Sequence, residues 1–200
     1  MAQAKVLSEK DTRRVLLHIA ANKHASRNRA IFLMTTNCGM RVGEVAAVRL
    51  CDVLTADGKI RDEIHLKAEQ TKGNKGRTVM LSKKIQEEIH NYLSVRFKLK
   101  DLLAVTLTDT NRALFANQKN CHRGFSANTL AQFFTTLYAR VGIDGASSHS
   151  GRRGFITNLA NKGVSVRVLM ALASHKNLST TQRYIELNPS MMRSAVELMS

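Results

Sequence analysis

The sequence predicts a mainly α protein with one small antiparallel β-sheet, an α+β fold. Three observations predict it. Apolar residues recur at three- and four-residue intervals along most of the chain, which is the helical period. The 200 residues contain one proline, Pro189, so little interrupts helices. One stretch, 64–81, changes to alternation, with a Gly- and Asn-bearing break at its middle.

The elements follow in order. Ser8 is placed to cap a first helix carrying Val15, Leu16 and Ile19 on one face, with Asp11 at capping-box spacing. A second helix is predicted over 26–37, with Gly39 as its C-terminal stop, and a third over 42–50. Ile64 and Leu66, then Val79 and Leu81 around Thr78 and Met80, make two strands joined through Lys72-Gly73-Asn74-Lys75-Gly76. Gly and Asn accept positive φ, so this reads as a hairpin with a basic tip. Ser82 opens a long helix presenting Ile85, Ile89, Leu93 and Phe97. The stretch 99–118 carries no clear period beyond a short strand at 113–115. Ser126 opens a helix with Leu130, Phe133, Phe134 and Leu137 inward. Four short helices close the chain, over 149–161, 165–173, 179–185 and 190–199, with Gly163 and Ser165 as punctuation between the first two.

A 44% hydrophobic content is enough for a full core, so a single domain is expected. Lys and Arg number 31 against 15 Asp and Glu, a formal charge of +16 that attracts polyanions and points to nucleic acid as partner. Cys38, Cys51 and Cys121 are odd in number and form no CxxC pair, so neither a disulfide framework nor a zinc cluster is expected. Cys121-His122 is the one hint of a metal ligand pair, and no second pair has zinc-site spacing. No Walker-type glycine loop is present, so ATP hydrolysis is not expected. With no signal peptide and no long apolar run, the expected setting is the cytoplasm, on the nucleoid, away from membranes.

Cutting a phosphodiester requires a nucleophile, a proton acceptor, positive charge at the non-bridging oxygens and an acid for the leaving oxygen. The chain offers a candidate for each. Tyr184 is the nucleophile candidate. A phenol titrates near about 10 and attacks only when cations stabilise its developing charge. Arg41 and Arg152 suit a phosphate clamp, because a guanidinium fork matches two phosphate oxygens. Arg153, beside Arg152, points elsewhere on the helix. His149 shares a helical face with Arg152, and His175 follows; both can move protons near neutral pH. Lys72, on the hairpin tip, is the candidate acid for the departing 5′ oxygen, with Lys75 as its competitor. Lys75, Arg77 and Arg153 are the expected further DNA contacts. Singly, each of these has an ordinary structural reading, as a surface tyrosine or arginine, a helix-capping histidine or a solvated turn lysine.

In chain order, the segments Thr36–Glu44, Thr71–Arg77, His149–Arg152 and Ser174–Tyr184 resemble the tyrosine recombinase (phage integrase) family over nearly the whole length, as its catalytic domain. The resemblance implies that family's catalytic-domain fold. It implies that Arg41, Lys72, His149, Arg152 and His175 surround a scissile DNA phosphate, that Tyr184 attacks it, and that a 3′-phosphotyrosine and a free 5′ hydroxyl result. It implies no metal and no cofactor, double-stranded DNA with paired specific sites, four protomers, and accessory DNA-bending proteins in some systems. Glu44 would be a structural support. Two positions depart from the pattern: the usual glycine before the second histidine is Ser174, and the usual histidine after the second arginine is Arg153. A single catalytic domain over 1–200 is expected, without the family's separate helical domain ahead of it. A tail helix over about 186–200, with Met191, Met192, Ala195, Val196 and Met199 as its apolar stripe, is open to exchange between protomers.

Two rival readings use the same residues differently. Residues 165–173 and 179–185 could form the helix-turn-helix of a non-catalytic DNA-binding regulator. A type IB topoisomerase-like enzyme would relax DNA with the same groups. A two-metal nuclease fits less well, for want of a carboxylate cluster.

Overall fold

Ser8 caps the first helix as its spacing predicts. In the computed structural model, which describes residues 3–98, 100, 102, 109, 111–117, 122–185, 192, 193, 196 and 197, Ser8 Oγ accepts from the Asp11 amide at 3.0 Å and Asp11 Oδ2 accepts from the Ser8 amide at 3.2 Å. This starts α1, Glu9–Ala20, which buries Val15 and Ile19. Cys121, Pro189 and most of the expected tail helix, including Met191, Ala195 and Met199, lie outside the described residues.

The second helix, α2 (Ala25–Asn37), is the hub. Six consecutive residues, Ala30 to Thr35, are buried. A helix buried on every side lacks an apolar stripe because it has no solvent face. It packs against α1, against α3 (Val42–Ala47) and against α5 (Lys83–Arg96), whose Ile85, Ile89, Tyr92 and Leu93 face inward.

The helix expected over 42–50 is divided. After α3 the chain leaves helical geometry at Val48 and Arg49, and resumes as α4, Leu50–Val53. The Leu50 amide donates to the Arg112 carbonyl and the Leu114 amide to the Val48 carbonyl, both at 2.9 Å. Peptide groups that would have continued the helix are thus drawn sideways to residues 112–114. The strand expected at 113–115 is correspondingly reduced to an isolated Arg49–Ala113 bridge.

The hairpin forms as expected. Strands β1 (Glu63–Leu66) and β2 (Arg77–Met80) pair antiparallel, with Ile64 opposite Val79 and Leu66 opposite Arg77. Gly73 and Asn74 take positive φ, 102° and 51°, in the connecting loop.

Helix α6 (Ala127–Arg140) is capped by Ser126, which accepts from the Thr129 amide at 3.0 Å, and packs on α3. The remaining described helices are α7 (Ser150–Asn161), α8 (Val166–Ala173) and the short α9 (Leu178–Gln182). They pack in sequence: α7 on α2, α8 on α7 and on β2, α9 on α8. Among the described residues no helix is long and apolar enough to cross a membrane.

Candidate active site

The site begins where α2 ends. Gly39 turns the chain with φ +62°, and a Cβ there would stand 2.4 Å from Phe155 Cδ1, so the position requires glycine on both counts. Two residues later Arg41 opens α3. Glu44 closes around it: one carboxylate oxygen accepts from the Arg41 amide at 2.8 Å and the other from Arg41 Nη1 at 2.9 Å.

Arg152 lies in the first turn of α7 and is 6% exposed. Its Nη1 donates to the Gly39 carbonyl at 2.6 Å, and its Nη2 donates to the Ala173 carbonyl at the end of α8. The α2 terminus and the α8 terminus are therefore tied by one guanidinium. His149 precedes α7 as its cap residue, but its ring makes no capping hydrogen bond and is exposed. After α8, Ser174 takes the left-handed conformation with φ 47°, which turns His175 inward. His175 Nδ1 lies 2.9 Å from Thr181 Oγ1, and Thr181 is fully buried. Tyr184 follows α9, and its ring stacks on His175 with centroids 5.8 Å apart.

Arg41, His149, Arg152, His175 and Tyr184 line one cleft of about 610 Å³. An adjoining cleft of about 240 Å³ shares Arg41 and His175 with it and is lined by Lys72 and Lys75. Six groups from distant parts of the chain thus meet around two contiguous clefts. Arg153 also lines the larger cleft, with its Nη1 donating to the Ala4 carbonyl at 2.6 Å and its Nε buried without a partner. Gln3 and Ala4 border the same cleft.

Arg77 departs from the sequence expectation. It is only 8% exposed, at the wall of the smaller cleft, and its guanidinium nitrogens are turned to partners inside the protein. Its Nε and Nη2 donate to the two oxygens of Glu44 at 3.2 and 2.7 Å, and its Nη1 donates to the Leu172 carbonyl at 2.8 Å. The signal was present in the alternation of β2: Arg77 is two residues before Val79 and so shares its inward face. Thr181 also escaped the sequence reading, because nothing local marks which hydroxyl will meet His175. The two helices of the alternative helix-turn-helix do form, as α8 and α9, but α9 has five residues and leads Tyr184 into the cleft.

The electrostatics of the cleft favour an anion. Burial first, then the charges of Arg152, Arg41 and Arg77, pushes His175 down to about 4, so its ring is neutral at neutral pH. Burial, then Arg41 and Arg77, pulls Arg152 down to about 9, which leaves it charged. Burial alone would raise Glu44; the hydrogen bond and charge of Arg77, then Arg41, outweigh it and hold the carboxyl below its usual range. Three guanidiniums against one carboxylate leave a local positive excess, which a phosphate would neutralise. Cys38 is no rival nucleophile, because burial pushes its thiol up to about 12.

The profile of the phage integrase family matches residues 5–191. The chain is 27% identical over 194 residues to tyrosine recombinase XerA of Pyrococcus furiosus, covering 96% of this chain and 61% of that protein. It is 30% identical over 190 residues to tyrosine recombinase XerC of Caldanaerobacter subterraneus subsp. tengcongensis, covering 90% and 47%. It thus spans about half to three fifths of the length of these relatives. Among solved structures, XerA recombinase matches with a TM-score of 0.73 at 22% identity, over 100% of this chain and 66% of that one. XerH site-specific recombinase bound to difH substrate, in a pre-cleavage complex, matches with a TM-score of 0.68 at 21% identity, over 98% and 54%. These likenesses establish a shared fold. With nearly its whole length matched, the chain belongs to the phage integrase family, the family of the tyrosine recombinases.

Proposed function

We propose that this chain is the strand-cutting and rejoining domain of a site-specific DNA recombinase, with Tyr184 as nucleophile. The observation that carries this reading is the single cleft in which Arg41, His149, Arg152 and His175 accompany the Tyr184 ring. Arg41 and Arg152 hold the non-bridging oxygens of one DNA phosphate. Tyr184 Oη attacks the phosphorus, forming a 3′-phosphotyrosine as the bond to the 5′ oxygen breaks. Lys72 supplies the proton to that departing oxygen. His175 is neutral and stacked on the tyrosine, and takes the phenol proton. The incoming phosphate strengthens it as a base by offsetting the surrounding guanidiniums. His149 donates to a phosphate oxygen. The ester conserves the energy of the broken bond, so a 5′ hydroxyl from a partner strand rejoins the DNA without ATP.

Lys75 and Arg153 extend the contact along the backbone, which sets position rather than sequence. The substrate is double-stranded DNA with paired recombination sites, handled by four protomers. Two observations on similar proteins support a DNA substrate: XerH is described bound to difH substrate, and the Tn1549 transposon integrase in complex with transposon right-end DNA. Met192 and Val196 are exposed, and the tail that carries them docks on a neighbouring protomer in this reading. Deleting the residues after Asn188 weakens assembly on DNA; unchanged complexes on a native gel would refute that docking.

The test is incubation with nicked duplexes in which loss of the short fragment traps a covalent adduct. The expected result is an adduct mapped to Tyr184, formed in the presence of EDTA and lost in Tyr184→Phe while DNA binding persists. An adduct at another residue, or full activity in Tyr184→Phe, overturns the assignment.

A further inference from the structure

We propose that Arg77 is a positioning residue that locks three separately mounted parts of this site into one register: the Lys72 hairpin, the Arg41 clamp and the His175 turn. The inference rests on the recombinase reading above and adds a residue to it.

Each part hangs from a different element. Lys72 is on the loop between β1 and β2, Arg41 opens α3, and His175 follows α8. Productive chemistry needs such groups held within about 0.5 Å. Arg77 is the one described side chain bonded to the second and third parts while being built into the first. It sits at the start of β2, immediately after the loop that carries Lys72. Its fork takes both oxygens of Glu44, and Glu44 in turn holds the amide and Nη1 of Arg41. Its remaining nitrogen takes the Leu172 carbonyl, and the next carbonyl, Ala173, is taken by Arg152. Two adjacent carbonyls at the end of α8 are thus fixed by two arginines just before the Ser174 turn that aims His175.

Energy alone does not explain such an arrangement. A buried ion pair returns little net stability, and an apolar pair of similar volume often does as well. What the pair provides is direction. A guanidinium has three nitrogens in one rigid plane, so fixing two on Glu44 fixes where the third points. Lysine can pair with Glu44, but its donors share one nitrogen on a flexible stem and do not fix the direction of the Leu172 carbonyl as the planar fork does. Without Arg77, Glu44 has Arg41 as its remaining cation and draws that guanidinium away from the phosphate.

The experiment compares the full chain with Arg77→Lys and with the paired variant Glu44→Leu/Arg77→Met, which removes both buried charges together and so protects folding. The probe is a nicked duplex drawn from a randomised pool by covalent trapping on the wild-type chain. Thermal unfolding, DNA affinity and single-turnover adduct formation are measured for each. Both variants leave the Leu172 carbonyl without its partner and are expected to unfold a few degrees below wild type, yet to remain folded in the assay and to bind the probe as wild type does, while adduct formation slows by about 30- to 100-fold. Wild-type adduct rates in the folded variants overturn the proposal. So does a loss of rate that merely follows loss of stability and DNA affinity, because Arg77 would then be an ordinary structural residue. If the wild-type chain itself traps no DNA, the recombinase reading falls and this inference falls with it.

Discussion

Arg152 shows how one side chain serves fold and chemistry together. It is almost wholly buried, joins the Gly39 and Ala173 carbonyls, and still lines the cleft. Arg152→Lys keeps a charge but not the planar fork. One of the two carbonyls then loses its partner, at a cost of about 1–3 kcal/mol in unfolding free energy. Adduct formation should fall at least ~100-fold, as when an oriented donor is removed from a developing charge. Denaturant titration and single-turnover trapping measure the two effects separately. His175 gives a second residue-scale prediction, with a definite sign. Folded, it titrates at about 4; unfolded, at about 6.5. Below that upper value the unfolded chain gains a proton that the folded site refuses. The folded state therefore loses stability as pH falls from about 6.5 to about 4. His175→Gln removes this component, so its melting temperature should drop less than that of wild type between these two pH values. Equal drops would show that burial and the three guanidiniums do not depress the ring as described.

At the scale of elements, the site depends on close helix approach and on one strained turn. Gly151 lets α7 lie against α2: a Cβ there would stand 2.3 Å from Thr35 Oγ1 and 2.9 Å from Thr35 Cβ. Gly151→Ala should destabilise the fold by about 1–3 kcal/mol, by overpacking. It should also displace Arg152, the next residue. Unfolding and adduct assays are expected to show both defects, and an unchanged melting temperature would exclude the contact. Ser174 is the converse case. It occupies a left-handed turn with φ 47°, where a side chain costs roughly 1–2 kcal/mol. Ser174→Gly should raise the melting temperature, and a fall would mean that the serine side chain stabilises the turn in another way. The element map was legible where caps and periodicity agree, as at Ser8, Ser126 and the 72–76 hairpin. It failed at 42–50 because bridging to residues 112–114 is a long-range event that no local pattern records.

For the molecule as a whole, the formal charge of +16 is the dominant long-range property. DNA binding should weaken at least ~100-fold between about 50 and 200 mM salt, with the same slope in Tyr184→Phe, because the slope counts released counterions and not chemistry. A flat dependence would contradict the phosphate-contact account. The sequence by itself determined the helical class, the hairpin and the basic charge, because each rests on residue type and short spacing; the candidate set Arg41, Lys72, His149, Arg152, His175 and Tyr184 was legible only through its order along the chain, which resembles the family's. Only the tertiary structure decided that Arg77 turns inward, that Thr181 holds His175, and that residues 3–4 border the cleft. These are contacts between segments far apart in the chain. Whether an arginine meets a carboxylate or a DNA phosphate is set by which element packs over it, and that is a property of the assembled core.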